Sequence, residues 1–267
     1  GRLDLHASLG RYVPGFVGDG REAVTAWHLL THTSGLPDIS AERMRSERPG
    51  YGAILAETMA SVPRWEPGTR YEYNSAAWCL LSETMAALSS SRWPDVLHQR
   101  LLGPLGMADT TFDGRPLRER IVPVDGMADN RLVAEVLLWF LSRAALPGGG
   151  LFGTVPDLLR LGHALLVPGL LTQETIAAMA ESQIAGVPHI DEEGRVSYVE
   201  HGLGWRRAAG GWPQGDSVLT HGGRSGSRLW IDPERGFAFA LVTNVWGISS
   251  EVAMAVLEGV YAARPPR

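Results

Sequence analysis

The side chains able to do chemistry gather in three short segments, HTSGLP (32–37), EPGTRYEYNS (66–75) and HGGR (221–224). His28 and His32 stand four residues apart, a spacing that can hold a metal on one helix face. No acidic partner accompanies them at a metalloprotease position, however. Gly35 and Pro37 also place His32 in a turn where Thr33 and Ser34 bond locally. Ser34 lacks the G-x-S-x-G surround of a nucleophile elbow. Tyr73 follows the Pro67-Gly68 turn and stands at the entrance of a helix. Taken alone, it reads as a packed residue whose hydroxyl is satisfied nearby. His221 ends a predicted strand, and Gly222 and Gly223 after it let a backbone or a ligand come close. His189, Asp191, Glu192, Glu193 and His201 form a polar cluster that reads as a solvated loop, with no metal site expected. Cys79, in AAWCLL, reads as an inert buried thiol. One residue type is missing altogether, because all 24 basic residues are arginine. No Ser-x-x-Lys pair can therefore exist within these residues.

Composition narrows the classes. A chain of 267 residues with 45% hydrophobic and 20% charged content is an ordinary globular sequence. A net charge of −5 argues against a nucleic-acid partner. No apolar run reaches 18 residues, and the longest, LVAEVLLWFL (132–141), contains Glu135, so no transmembrane segment is expected. A single cysteine excludes an internal disulfide and leaves the compartment open. The bias toward Arg, Ala, Gly and Pro suggests a GC-rich, bacterial coding sequence.

The elements that must position these residues follow from periodicity. Helices are expected over 22–31 (capped by Thr25), 76–90, 93–102, 130–146, from Thr154 through PDLL, and from Thr172 to about Gln183. From about 196 the period changes to two. Segments 196–199, 203–208, 217–221, 227–232 and 236–243 read as strands, with DPERG (232–236) as a tight turn. Ser249 or Ser250 then caps a last helix. Helices first, followed by an antiparallel meander closed by a helix, make an α+β arrangement. One domain over 1–267 is expected, helical over about 20–185, with the sheet and final helix at about 196–263.

Five segments in order, WHLLTHTSGLPD (27–38), EPGTRYEYNSAAWCLL (66–81), PLGMADTTF (104–112), LPGGGLFGTVPDLLRLGHALL (146–166) and LTHGGRSGSRLWIDPERGFAFALVTN (219–244), resemble the penicillin-recognising serine hydrolases. This is the serine β-lactamase and penicillin-binding-protein-like superfamily, with its class C β-lactamase, DD-peptidase, esterase and D-aminopeptidase branches. The likeness runs from residue 1 to about 246. It implies a β-lactamase/transpeptidase-like fold, an antiparallel sheet flanked by helices with a largely helical subdomain. It implies a serine hydrolase or acyltransferase that acts on an ester, amide or thioester through an acyl-enzyme and needs no cofactor or metal. The partner would be a small-molecule or peptide acyl substrate.

By the same resemblance, Tyr73 would help shuttle the nucleophile's proton, and His221 would support it or the leaving group. Gly222, Gly223 and the N–H of Arg224 would line the oxyanion site, where each donor is worth about 3 kcal/mol. The family's substrate-contacting asparagine position is occupied by Ser75. Asn74 is displaced by one place, a turn of roughly 100° on a helix. Glu66 and Glu72 lie nearby without an assigned role. The Ser-x-x-Lys helix would precede Gly1, so the chain alone is expected to be inactive. A missing N-terminal segment or a second chain would complete the fold, since uncovered apolar surface costs about 25 cal/mol per Å². The competing expectation is a non-catalytic binding or scaffold protein of the same fold that has lost the nucleophile helix.

Overall fold

Val218, Trp230, Leu229 and Ile231 alternate along two adjacent strands, and this alternation decides how the layers of the molecule stack. The computed structural model describes residues 2–126, 131–207, 217–247 and 250–263. In chain order the helices are α1 (Ala26–Leu30), α2 (Ala41–Ser46), α3 (Tyr51–Ala60), α4 (Trp78–Ser89), α5 (Trp93–Leu97), α6 (Arg131–Ala144), α7 (Val155–Ala164) and α8 (Gln173–Ala180). The strands β1 (Pro188–Ile190), β2 (Val196–Tyr198), β3 (Arg206–Arg207), β4 (Leu219–Gly222), β5 (Ser227–Asp232) and β6 (Phe237–Val242) follow, and α9 (Ser250–Ala262) ends the order.

Strands β3-β4-β5-β6 form an antiparallel meander. Leu219, Leu229 and Ile231 face one side, where they pack with Leu165 and Ile176 at the ends of α7 and in α8. Val218 and Trp230 face the other side and meet Ala253 and Leu257 of α9. The sheet is thus a middle layer between helices, as the α+β reading expects. Gly162 permits the α7 contact, since a Cβ there would lie 2.6 Å from that of Ala238. The remaining helices build a second body of core. Leu9 and Phe16 from the first loop pack on Leu29, Leu36 and Leu80, while Ile54, Cys79 and Ala144 join α3, α4 and α6.

Side-chain caps account for several helix starts. Thr25, Thr154 and Thr172 each accept an N–H from three residues ahead. Asp157 does more than favour the positive end of α7. Its carboxylate, 1% exposed, accepts the Asp109 N–H at 3.0 Å, the Thr110 hydroxyl at 2.7 Å and the Arg160 guanidinium at 2.7 Å. It ties the 103–112 loop to α7. Asp157→Ala is expected to destabilise the protein by about 3 kcal/mol, because buried donors lose their acceptor. Denaturant unfolding monitored by circular dichroism checks this.

Four expectations change. The helix expected over 22–31 is a 3₁₀ turn at Arg21–Ala23 followed by α1 alone. The segment expected at 196–199 does not join the meander, but pairs with β1 in a separate hairpin. The strand expected over 203–208 is paired only at Arg206 and Arg207, with residue 208 outside the described set. Helices α2 and α3 were not expected at all. The Ser249 cap assignment lies outside the described residues.

Candidate functional site

Two loops about 40 residues apart in sequence are stitched together to carry Tyr73. In the first, His32 and Gly35 adopt left-handed backbone, with φ of 56° and 73°. A side chain at 35 would put its Cβ 2.6 Å from the Trp65 carbonyl, which is why glycine stands there. The second loop bonds to the first along its length. The Glu72 N–H donates to the His32 carbonyl at 2.9 Å, and the Asn74 N–H donates to His32 Nδ1 at 3.1 Å. The Asp38 carboxylate accepts the N–H groups of Ser75 and Ala76 at 3.0 and 2.9 Å. Asn74 is buried, with its amide donating to the Leu36 carbonyl and its Oδ1 accepting the Ala77 N–H ahead of α4. Its side chain is therefore taken up by structure.

Tyr73 stands out from this base, 44% exposed, with its ring tilted on that of His32 at 4.3 Å between centroids. From the sheet side, His221 brings its ring to 6.3 Å from that of Tyr73. Both border a cavity of about 280 Å³, shared with Gly222, Gly223 and Arg224. The structure thus brings together five of the six expected site residues. Ser75 is not among the lining residues: its N–H is held by Asp38, and its hydroxyl lies beside Tyr73. In the 222–224 backbone, the Gly223 N–H is committed to the Ser227 carbonyl at 2.7 Å. The Arg224 N–H makes no hydrogen bond among the described residues, while its carbonyl accepts from Gly247 at 2.8 Å. A second cavity of about 360 Å³ lies by Val13, Leu55 and Met59, where Glu83 and Tyr12 are the ionisable side chains among the described residues.

Burial sets the protonation of the site. It pushes the Tyr73 hydroxyl up from its usual pKa, with the Ser75 hydroxyl acting in the opposite sense. It pushes His221 down, and the nearby Arg228 and Arg206 charges reinforce the shift. The site therefore presents a protonated phenol and a neutral imidazole at pH 7.

The lining holds residues that the sequence reading left out. His201 is 1% exposed and donates from Nδ1 to the Gly202 carbonyl at 2.8 Å, with its pKa lowered to about 4, chiefly by burial. Of the polar cluster expected as a solvated loop, Glu192 and Glu193 are exposed at the turn between β1 and β2, whereas His201 is buried and His189 sits on β1 with Nδ1 donating to the Tyr71 carbonyl. His32 is 2% exposed, and its pKa is lowered to about 3 by burial and by its two histidine neighbours. Nδ1 accepts the Asn74 N–H hydrogen bond, so the neutral ring carries its hydrogen on Nε2, a buried atom with no partner among the described residues. His28 and His32 do not share a helix face, because His28 Nδ1 is held by the Thr25 N–H and hydroxyl while His32 lies beyond α1. Among the described residues no group of three His, Cys, Asp or Glu is placed to hold a metal. None of the described helices is long and apolar enough to cross a membrane.

A family model described as Beta-lactamase matches residues 1–262. The chain belongs to the Beta-lactamase family. A relative within it, esterase EstB of Burkholderia gladioli, is 30% identical over 98% of this chain and 76% of its own length. Among solved structures, a penicillin-binding protein homologue from Caulobacter crescentus superimposes with a TM-score of 0.78 at 21% identity, over 98% of this chain and 77% of that one. EstCE1, described as a hydrolase with promiscuous acyltransferase activity, gives 0.75 at 20% identity, over 97% and 78%. The fold is β-lactamase/transpeptidase-like, and Beta-lactamase family members are serine hydrolases.

Proposed function

We propose that this chain forms the tyrosine, histidine and oxyanion side of an acyl-transfer site, acting on an ester, amide or thioester through an acyl-enzyme. The observation that carries this reading is the facing pair of Tyr73 and His221 across one cavity, beside an Arg224 N–H that makes no hydrogen bond among the described residues. In the reaction, a serine Oγ bonds to the acyl carbon, its proton passes through a lysine and the Tyr73 hydroxyl to the leaving group, and the bond from the acyl carbon to that group breaks. The carbonyl oxygen takes up negative charge and is met by the Arg224 N–H and the nucleophile's own N–H. Water then bonds to the acyl carbon, the serine Oγ–acyl bond breaks, and the water's proton returns to the serine by the reverse route. Tyr73 and neutral His221, with ring centroids 6.3 Å apart, both line the cavity that would hold the leaving group.

The 267 residues hold no lysine, so the serine and lysine of this scheme come from residues outside them. A fluorophosphonate probe on the active enzyme should leave its adduct on a serine outside residues 1–267, located by peptide mass spectrometry. An adduct on a serine within them overturns the scheme. The absence of lysine also favours a second reading, a non-catalytic protein whose cavity binds acyl or peptide ligands. Binding of such ligands with no adduct at any serine would select it.

A further inference from the structure

Several arginines elsewhere on this chain sit on carboxylates. Arg115, Arg120, Arg160, Arg195 and Arg235 each pair with an aspartate at 2.6–2.9 Å. The cavity breaks that pattern. Arg206, Arg224 and Arg228 all line it, no Asp or Glu does among the described residues, and none of the three has an ion-pair partner there. Their concentration is notable in a chain of net charge −5.

Register explains how two of them converge. Arg206 on β3 pairs with Thr220, and Arg228 on β5 pairs with Gly222. Thr220 and Gly222 are two apart on β4, so all four positions share the side of the sheet that Trp230 faces, while His221 faces the other, and the cavity lining takes in residues of both faces. The two guanidinium groups therefore flank β4 from opposite neighbours. Gly222 makes space for this, since a Cβ there would lie 3.0 Å from Cγ of Arg228 and 3.4 Å from its guanidinium carbon. Between them, Thr220 is 3% exposed, and its buried hydroxyl oxygen has no partner among the described residues. Both arginine charges reach His221, and that of Arg206 reaches Tyr71. A single carboxylate occupies one guanidinium fork. Two forks on opposite sides of a strand, with a third arginine at the rim, suit an anion that offers more oxygens and more charge.

We propose that the cavity takes an acyl substrate whose non-reacting end carries two negative charges, as a phosphate or a dicarboxylate does. Arg206 and Arg228 are its specificity residues, with the Thr220 hydroxyl as an additional donor. This rests on the acyl-transfer reading for the reacting end only. The test is calorimetric titration of the protein with inorganic phosphate, succinate and acetate at pH 7.5 and matched ionic strength. Phosphate or succinate should bind at least tenfold more tightly than acetate, and the tighter of the two identifies the source of the charge. Arg206→Gln and Arg228→Gln should each weaken that binding tenfold or more, whereas Arg115→Gln, remote from the cavity, should not. Equal binding of all three anions, or unchanged binding in both cavity variants, overturns the proposal. Binding is read without turnover, so dianion binding in a protein that forms no acyl adduct would sink the acyl-transfer reading and leave this one standing.

Discussion

Replacing Tyr73 by phenylalanine is expected to lower kcat for ester hydrolysis by about 10²–10⁴, the range for loss of a positioned proton-transfer group. The substitution removes one oxygen and nothing else. The ring that leans on His32 at 4.3 Å remains, and the backbone bonds from residues 72, 74, 75 and 76 to the first loop do not involve the phenol. Melting temperature should hence change little, and KM much less than kcat, the pattern of an interaction made only in the transition state. Tyr71→Phe is the matched control, since it removes a hydroxyl from the same cavity. Full turnover in Tyr73→Phe would return Tyr73 to a packing role, and a reversed pattern would move the relay to Tyr71.

The second large effect is on stability in mild acid. His32 and His201 are buried, with folded-state pKa values of about 3 and 4 against an ordinary 6.5. Below pH 6.5 the unfolded chain therefore takes up a proton at each of these rings that the folded chain refuses, and the partly buried His28, its pKa also lowered to about 4 by burial, adds to the same trend. Stability is full above that value and is lost as pH falls toward 4, by about 1.4 kcal/mol per pH unit for each residue. The pair together removes about 3 kcal/mol between pH 6 and pH 5. Carboxylates such as Asp109, Asp113 and Asp191, whose pKa values are held below the usual range by arginine partners, act only nearer pH 4. Melting temperature measured from pH 8 to pH 5 should be level at first and then drop steeply below 6.5. A level profile down to pH 5 would mean that both rings accept protons in the folded protein.

Much of this architecture is legible in the sequence where a local rule suffices. Thr25, Thr154 and Thr172 mark helix starts because a threonine oxygen can accept a nearby N–H whatever surrounds it. DPERG is a turn because Asp232 can accept the Arg235 N–H within its own segment. Helices α2 and α3 escaped notice because Pro49, Gly50 and Gly52 interrupt 41–60 and because α3 buries Thr58 beside Ile54 rather than a clean apolar stripe. Strand β1 was hidden by Pro188, which cannot donate to a ladder but accepts the Tyr71 N–H at 2.9 Å. The cavity divides along the same line. Tyr73 and His221 are readable from their flanking glycines and from the family likeness. His201, Arg206 and Arg228 are not, because each follows a stretch whose local pattern states nothing about burial. Only the pairing of strands and the approach of His32 bring them to the cavity.

The stitching of the His32 loop to the Tyr73 loop has a consequence for the timing of order. Fixing a residue's backbone removes roughly 1–2 kcal/mol of conformational freedom. Here that cost falls on folding, because the two loops become one rigid strut when Asp38, Asn74 and His32 engage. An arriving substrate meets a phenol already aimed across the cavity, so none of its affinity is diverted to ordering the catalytic loop.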